Sequence, residues 1–475
     1  MKKFIARTEE LAILKRVDQS TQSEFVAVYG RRRVGKTFLI RHYYRNRIAF
    51  QLTALAHTST TENQLLNFHL VLDELPGVAK AAAPPENWLY AFHRLKGYLA
   101  NLKIDKKVIF IDELPWLDTD ESHFIQALEN FWNGWASARD DIILIVCGSA
   151  ASWMINNLIN NHGGLHNRIT ERIHLQPFNL KETEELLKLK NPAIDRYQII
   201  QLYMVMGGIP FYLNNVKGNE SAAQNIDRLC FSQTGLLRLE FNNLYLALFK
   251  NAEQHIKIVR ALATKAKGLT RNELIKLTKL SNGGGTTKTL EELEQSGFIR
   301  KYTPFQKRKK SSVYQLVDFY TLFYLRFIEP SNPLDENTWI NAIDHPQYRT
   351  WSGYAYEQIC FYHIQAIKKA LGIGGVQTSI YSWRSHKKEN NVQIDLIIDR
   401  RDRVINICEI KFTLDTYSIT KEYAAKLRNK LSVFRTETGT KSAVWLTFIT
   451  TYGLQNFVYW GGLVQHDLTM DIFFE

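Results

Sequence analysis

The sequence predicts an α/β core, a parallel sheet with a helical lid, followed by two smaller domains. Three stretches carry the prediction. Phe25 to Tyr44, FVAVYGRRRVGKTFLIRHYY, runs apolar, breaks at Gly30 and resumes helical spacing after Lys36, so it reads as strand, loop and helix. Val108 to Asp112, VIFID, and Ile142 to Cys147, IILIVC, are continuous apolar runs, the pattern of strands buried on both faces of a parallel sheet.

The chain of 475 residues is long enough for two to four domains. Apolar residues make up 45% and charged residues 23%, which argues against long disordered regions. A formal charge of +13 points to a polyanionic partner, nucleic acid or an anionic membrane surface. No apolar run approaches the length of about 18 residues that a membrane-crossing helix needs. The N-terminus MKKFIARTEEL turns acidic before a signal-peptide core could form. The expectation is therefore a soluble, cytoplasmic protein with no membrane partner. Cys147, Cys230, Cys360 and Cys408 show no paired spacing, so neither a zinc site nor a disulfide framework is indicated.

In chain order, FIARTEELAIL reads as a lead-in helix with Thr8 as its N-cap and Glu9 and Glu10 in the first turn. The pattern G-x-x-x-x-G-K-[ST] is then filled by Gly30, Arg31, Arg32, Arg33, Val34, Gly35, Lys36 and Thr37. The two glycines permit backbone that a Cβ would obstruct, so successive N–H groups can close around phosphate oxygens at a helix N-terminus. Lys36 is expected to reach the β- and γ-phosphates of ATP, and Thr37 to offer its hydroxyl to Mg²⁺. Asp112, at the tip of VIFID, is the expected partner of Mg²⁺, directly or through water, with Glu113 orienting the attacking water. The third run ends in Gly148-Ser149. Ser149 reads either as a contact to the γ-phosphate or attacking water, or as a helix N-cap. These features predict an α/β P-loop NTPase over residues 1–180.

The ordered stretches FIARTEEL, GRRRVGKT, VIFIDELPWL, LIVCGSAASWM, GLHNRITERIHLQPF and GGIPFYL resemble an archaeal-type ATPase family on the AAA+/STAND side of P-loop NTPases, over roughly residues 1 to 240. The resemblance implies a helical lid over residues 181–250 and two further roles. Arg168 is similar to the family arginine that approaches the γ-phosphate, in cis or from a neighbouring subunit of a homo-oligomer, with Arg172 as a competing candidate. Pro210, in Gly207-Gly208-Ile209-Pro210, is similar to the lid element that touches the base; the alternative is a loop between two lid helices. Family members often carry a winged helix and a nuclease-like C-terminal domain.

Residues 251–330 read as helix, helix, turn (SNGGG), helix and a strand hairpin, which resembles an α+β winged helix-turn-helix. The third helix would be the recognition helix, offering Thr286, Thr287 and Lys288 outward near its start. Lys307, Arg308, Lys309 and Lys310 sit at the hairpin tip, favouring phosphate contact over the protein-binding use of such modules.

In residues 340–475, Trp351 to Leu371 reads as an aromatic helix whose one carboxylate is Glu357. A carboxylate on so apolar a face needs a partner or a task. VQIDLIIDRRDRVINICEIKF reads as a hairpin about Arg401 to Arg403. If paired numbers sum to 804, Asp395 faces Glu409 and Lys411 follows on the same face. A divalent cation would relieve that pair's repulsion. Glu357, then Asp395, Glu409 and Lys411 as D…E-x-K, resemble the PD-(D/E)XK nucleases, an α/β restriction-endonuclease-like fold in which the acids hold Mg²⁺ or Mn²⁺ and the lysine serves the attacking water. Ile394 stands where those nucleases usually have proline. The functional expectation is an ATP-hydrolysing, DNA-interacting protein whose ATPase gates a winged helix and a metal-dependent nuclease. The alternative is a STAND-type ATP switch with a non-cleaving nuclease fold.

Overall fold

The computed structural model describes residues 5–56, 58–160, 163–307, 311–332, 338–342, 345–385, 392–456, 460 and 462–475. It divides into two compact units, Met1–Pro177 with Asn242–His255 and Lys288–Ser296, and Phe178–Phe241 with Ile256–Thr287 and Gly297–Glu475.

The first unit is built on five parallel strands: β1 Glu24–Tyr29, β2 Ile48–Thr53, β3 Lys107–Asp112, β4 Ile142–Gly148 and β5 Glu171–His174, in the order β2-β3-β4-β1-β5. Every residue of β3 and β4 is buried. This follows from their unbroken apolar runs, which suit strands covered on both faces. Phe68, Trp88, Phe92, Phe124 and Phe131 interlock in the core beside the sheet. Parallel register brings the carboxyl ends of the strands to one edge: Tyr29 pairs with Gly148, and Ile111 with Val146. Asp112 therefore ends at the edge where β1 gives way to its loop.

The helix Thr8–Asp18 begins one residue earlier than a Thr8 cap requires. Arg7, at φ 61°, occupies the N-cap position and makes no side-chain cap bond. Thr8 is thus the first helical residue, and its expected capping role is corrected.

The second unit opens with the helices Leu180–Lys188 and Arg196–Met206. It also holds a three-stranded antiparallel sheet of β6 Leu269–Thr270, β7 Ile299–Tyr302 and β8 Val313–Leu316 in the order β6-β8-β7. In the chain, the helix Ala252–Ala263 precedes β6, and the helices Arg271–Thr278 and Gly284–Gln295 lie between β6 and β7. Gly284 and Gly285, expected in a turn, start the last of these. Thr286 is buried, with its hydroxyl on the carbonyl of Ser281 at 2.6 Å, while Thr287 and Lys288 are exposed. Thr286 is therefore withdrawn from the outward face assigned to it. Of the expected cationic tip, Arg308, Lys309 and Lys310 lie outside the described residues.

The C-terminal sheet comprises β9 Thr378–Arg384, β10 Gln393–Arg400, β11 Val404–Lys411, β12 Ala443–Thr450 and β13 His466–Leu468, in the order β13-β12-β11-β10-β9. β10 runs antiparallel to both β9 and β11, and β11, β12 and β13 are parallel. The helix Lys421–Thr438 connects β11 to β12 and buries Leu427, Leu431 and Phe434 against Ile397, Ile407, Leu446 and Phe448. Among the described residues no helix is long and apolar enough to cross a membrane.

Candidate functional site

The loop after β1 turns sharply, with Gly30 at φ 140°, Arg33 at 71° and Gly35 at 97°. At Gly30 a Cβ would lie 2.3 Å from the carbonyl oxygen of Leu175, so only glycine fits. Positive-φ residues alternating with ordinary ones make the concave backbone that binds anions. The helix Lys36–Tyr44 starts from this loop without a side-chain cap, leaving its first N–H groups for a ligand. Lys36, nearly buried, donates from Nζ to the carbonyls of Gly30 and Arg31, each at 2.9 Å. Arg31 is buried, and Arg32 and Arg33 are half-buried.

Two hydrogen-bonded pairs stand at this edge of the sheet. Thr37 Oγ1 donates to Asp112 Oδ2 at 2.8 Å, which sets two hard oxygen donors side by side. That donor set suits Mg²⁺. The other pair is Glu113 and Ser149. Ser149 Oγ lies 2.7 and 2.9 Å from the two oxygens of the Glu113 carboxylate, and Ser149 N donates to Oε2 at 3.2 Å. Glu113 itself holds φ 52°, a left-handed conformation that costs a non-glycine residue roughly 1 kcal/mol or more. The N-cap alternative for Ser149 is corrected: the helix Ala151–Trp153 has Ala150 as its cap residue.

Arg168 lies just before β5 with its side chain exposed, and Arg172, also exposed, lies within β5 opposite Ala27. Pro210 is the first residue of the short helix Pro210–Leu213, entered through Gly207 and Gly208 at φ 61° and 68°. Arg7 escaped sequence reasoning. It is 5% exposed and donates from Nη2 to the carbonyl of Val34 at 3.1 Å, tying the lead-in helix to the phosphate loop.

In the second unit, β10 and β11 pair with Leu396 opposite Cys408, Ile397 opposite Ile407 and Ile398 opposite Asn406. Those numbers sum to 804, so the next pair in register is Asp395 and Glu409. Their side chains, however, go to different cations. Asp395 Oδ1 accepts from Lys267 Nζ, and Glu357 Oε2 accepts from the same nitrogen at 3.2 Å. Glu409 pairs with Lys430 Nζ at 2.7 Å and Lys411 Nζ at 2.9 Å, and accepts from the Tyr423 hydroxyl. Burial, reinforced by Asp395, pushes the Glu357 carboxyl up to about 7 despite Lys267. Burial would also raise Glu409, but the ammonium groups of Lys430 and Lys411 outweigh it and hold that carboxyl at about 2.

Glu357, Asp395 and Glu409 therefore do not converge on one position as the expected single-ion cluster would have them. No group of three metal-ligating side chains gathers among the described residues. The reason is electrostatic: two separate lysine networks compensate the carboxylates. Tyr423 and Lys430 were legible as one helix face, being seven residues apart. Lys267 was not, since it lies 90 residues from Glu357.

Comparison with known proteins agrees with the geometry of the first unit. Residues 4–216 match the family described as an ATPase domain predominantly from Archaea. The chain carries an archaeal-type ATPase domain. It is an ATPase, with ATP as its nucleotide. Over 416 residues it is 25% identical to an uncharacterized protein of Methanocaldococcus jannaschii, covering 86% of this chain and 87% of that one. Over 44 residues, 9% of this chain and 75% of the other, it is 43% identical to an uncharacterized ATP-binding protein of the same organism. Among solved structures, the Walker-type ATPase of Pyrococcus abyssi overlays with a TM-score of 0.52 at 18% identity, covering 68% of this chain and 96% of that one. At that identity the likeness is one of fold, and the ATPase domain shares the P-loop NTPase architecture.

Proposed function

We propose that this ATPase interacts with DNA, and that its nucleotide state controls a winged helix and a metal-dependent DNA nuclease domain. In the ATPase domain, the loop from Gly30 to Val34 receives the phosphates, with Lys36 neutralising charge on the β- and γ-groups. Thr37 and Asp112 would hold Mg²⁺, which when bound would supply positive charge to the transferring phosphoryl group. Glu113 orients the attacking water, and Ser149, through its three contacts to that carboxylate, fixes where Glu113 points. Arg168 supplies charge to the γ-phosphate, in cis or from a neighbouring copy, and Pro210 contacts the base.

The observation that carries the nuclease reading is the β10–β11 register, which sets Asp395 and Glu409 next in line across one hairpin. A sheet bearing D…E-x-K, with Glu357 on a neighbouring helix, supports a metal-dependent phosphodiesterase. Support for the winged helix comes from the order helix, strand, two helices, two strands, with β6 pairing on β8. The charge of +13 supports DNA as the partner.

A second reading, an ATP-driven switch with a non-cleaving nuclease fold, is favoured by one specific observation. Glu409 is already saturated by Lys430, Lys411 and Tyr423. Incubating the purified full chain with circular and linear DNA, with and without ATP and Mg²⁺ or Mn²⁺, separates the two. Metal-dependent cleavage supports the first; stable nucleotide retention with no cleavage of any DNA form supports the second.

A further inference from the structure

We propose that Lys267 is a built-in, exchangeable cation for Glu357 and Asp395, neutralising the pair until a divalent cation takes its place. The proposal rests on the nuclease reading of this site, and all three residues belong to the second compact unit. Lys267 comes from neither the sheet nor the helix that carries the carboxylates, but from the loop just before β6.

The backbone of that loop is pinned. Tyr302 Oη donates to the carbonyl of Lys267 at 2.8 Å, and Gln315 Nε2 and Tyr354 Oη donate to that of Ala266 at 2.8 and 2.9 Å. Tyr354 lies one turn before Glu357 on the same helix, Pro346–Tyr362. Next in the chain, Gly268 holds φ +83°, and a Cβ there would lie 2.3 Å from the carbonyl of Tyr314. The loop therefore delivers Lys267 to the carboxylates by construction.

The ammonium, by contrast, is free to leave. The Lys267 side chain is 41% exposed, against 31% for Asp395 and 18% for Glu357. Returning a lysine to water is inexpensive, while a carboxylate that stays buried must keep a positive partner. The cavity of about 250 Å³ that holds the pair, lined by Lys267, Glu357, Asp395, Arg300, Tyr302 and Phe361, leaves room for the lysine head to shift off the carboxylates. Glu409 differs, because Lys411 of its own strand and Lys430 of the helix that follows already neutralise it. The oxygens of Glu357 and Asp395 converge on one position, and their chemistry suits a hard cation such as Mn²⁺ or Mg²⁺.

The test is a Mn²⁺ titration of the nucleotide-free full chain, read by electron paramagnetic resonance of free Mn²⁺. It compares the wild type with Lys267→Met, Lys267→Arg and the double variant Lys267→Met/Glu357→Gln. Any Mn²⁺ at the phosphate loop is common to all four and cancels. Lys267→Met is expected to bind Mn²⁺ at least about tenfold more tightly, the effect of removing one competing charge. The Arg variant should stay close to wild type, and the double variant should lose the gain. Should Lys267→Met not melt cooperatively, Lys267→Gln takes its place. An affinity in the Met or Gln variant no higher than wild type, no Mn²⁺ bound in either, or a gain that survives Glu357→Gln overturns the proposal. Parallel DNA-cleavage assays separate it from the nuclease reading. A Mn²⁺ shift without cleavage overturns only that reading, whereas cleavage with an unshifted Mn²⁺ affinity overturns only the exchange.

Discussion

Glu113 combines a strained backbone with a carboxylate tethered by Ser149, and such strain at a fixed carboxylate is characteristic of chemistry rather than packing. Glu113→Gln is therefore expected to keep ATP binding and to lose turnover by about 10²–10⁴-fold, the usual worth of a positioned base. Lys36→Ala should lose binding itself. Equilibrium nucleotide binding and phosphate release measured side by side separate the two variants, and wild-type turnover in Glu113→Gln would reassign the water-handling role. Gly30 makes a stability prediction. A methyl group 2.3 Å from the Leu175 carbonyl, at a φ of 140°, forces the backbone to move. Gly30→Ala should cost about 2–4 kcal/mol, read as a lower melting temperature of the nucleotide-free protein.

At the scale of elements, the helix Leu180–Lys188 is held at its start by a distant residue. Leu180 N donates to His363 Nε2 at 3.0 Å, while His363 Nδ1 donates to the Ile359 carbonyl at 3.0 Å. Both ring nitrogens are used in the neutral tautomer, and protonation of Nε2 would break the bond to Leu180. Burial lowers this histidine from 6.5 to about 4. Because the folded value is depressed, the stability it supports is complete above about 6.5 and is lost as pH falls through about 4, amounting to about 3 kcal/mol. Thermal melting between pH 7 and 4 should show that loss in wild type and a flatter profile in His363→Gln. The hairpin between β7 and β8 makes a different prediction. Replacing Lys307, Arg308, Lys309 and Lys310 by neutral residues should weaken binding to all duplex sequences alike. It should also flatten the salt dependence, by up to about 0.9 log units for each phosphate that the hairpin no longer neutralises. Unchanged affinity at low salt would assign this hairpin to protein binding.

For the whole molecule, the source of the arginine that meets the γ-phosphate sets how activity depends on concentration. If Arg168 acts in trans, ATPase activity should rise with protein concentration. Mixing Arg168→Ala with Lys36→Ala protein should then restore some turnover, because each supplies what the other lacks. An arginine of this kind contributes on the order of 10³–10⁵ in rate, so even partial complementation is measurable. Sedimentation showing one species at every concentration, with constant specific activity, would remove the trans role. The exposed position of Arg168 just ahead of β5 is compatible with reach toward another copy.

Features set by local spacing were legible in the amino-acid sequence by itself. The phosphate loop occupies eight consecutive positions, buried parallel strands announce themselves as unbroken apolar runs, and a tight turn makes the β10–β11 register a matter of counting from Arg401 to Arg403. Those relations are short-range, so composition and periodicity carry them. What only the tertiary structure decided is which charge answers which. Ser149 meets Glu113 across 36 residues, Arg7 reaches Val34 across 27, and Lys267 reaches Asp395 across 128. Thr286 turns inward although its sequence position suggested an outward face. A buried carboxylate must find a cation or a proton, but nothing in its own neighbourhood of sequence states which one. That choice falls to whichever loop the packing of distant elements brings within hydrogen-bonding distance.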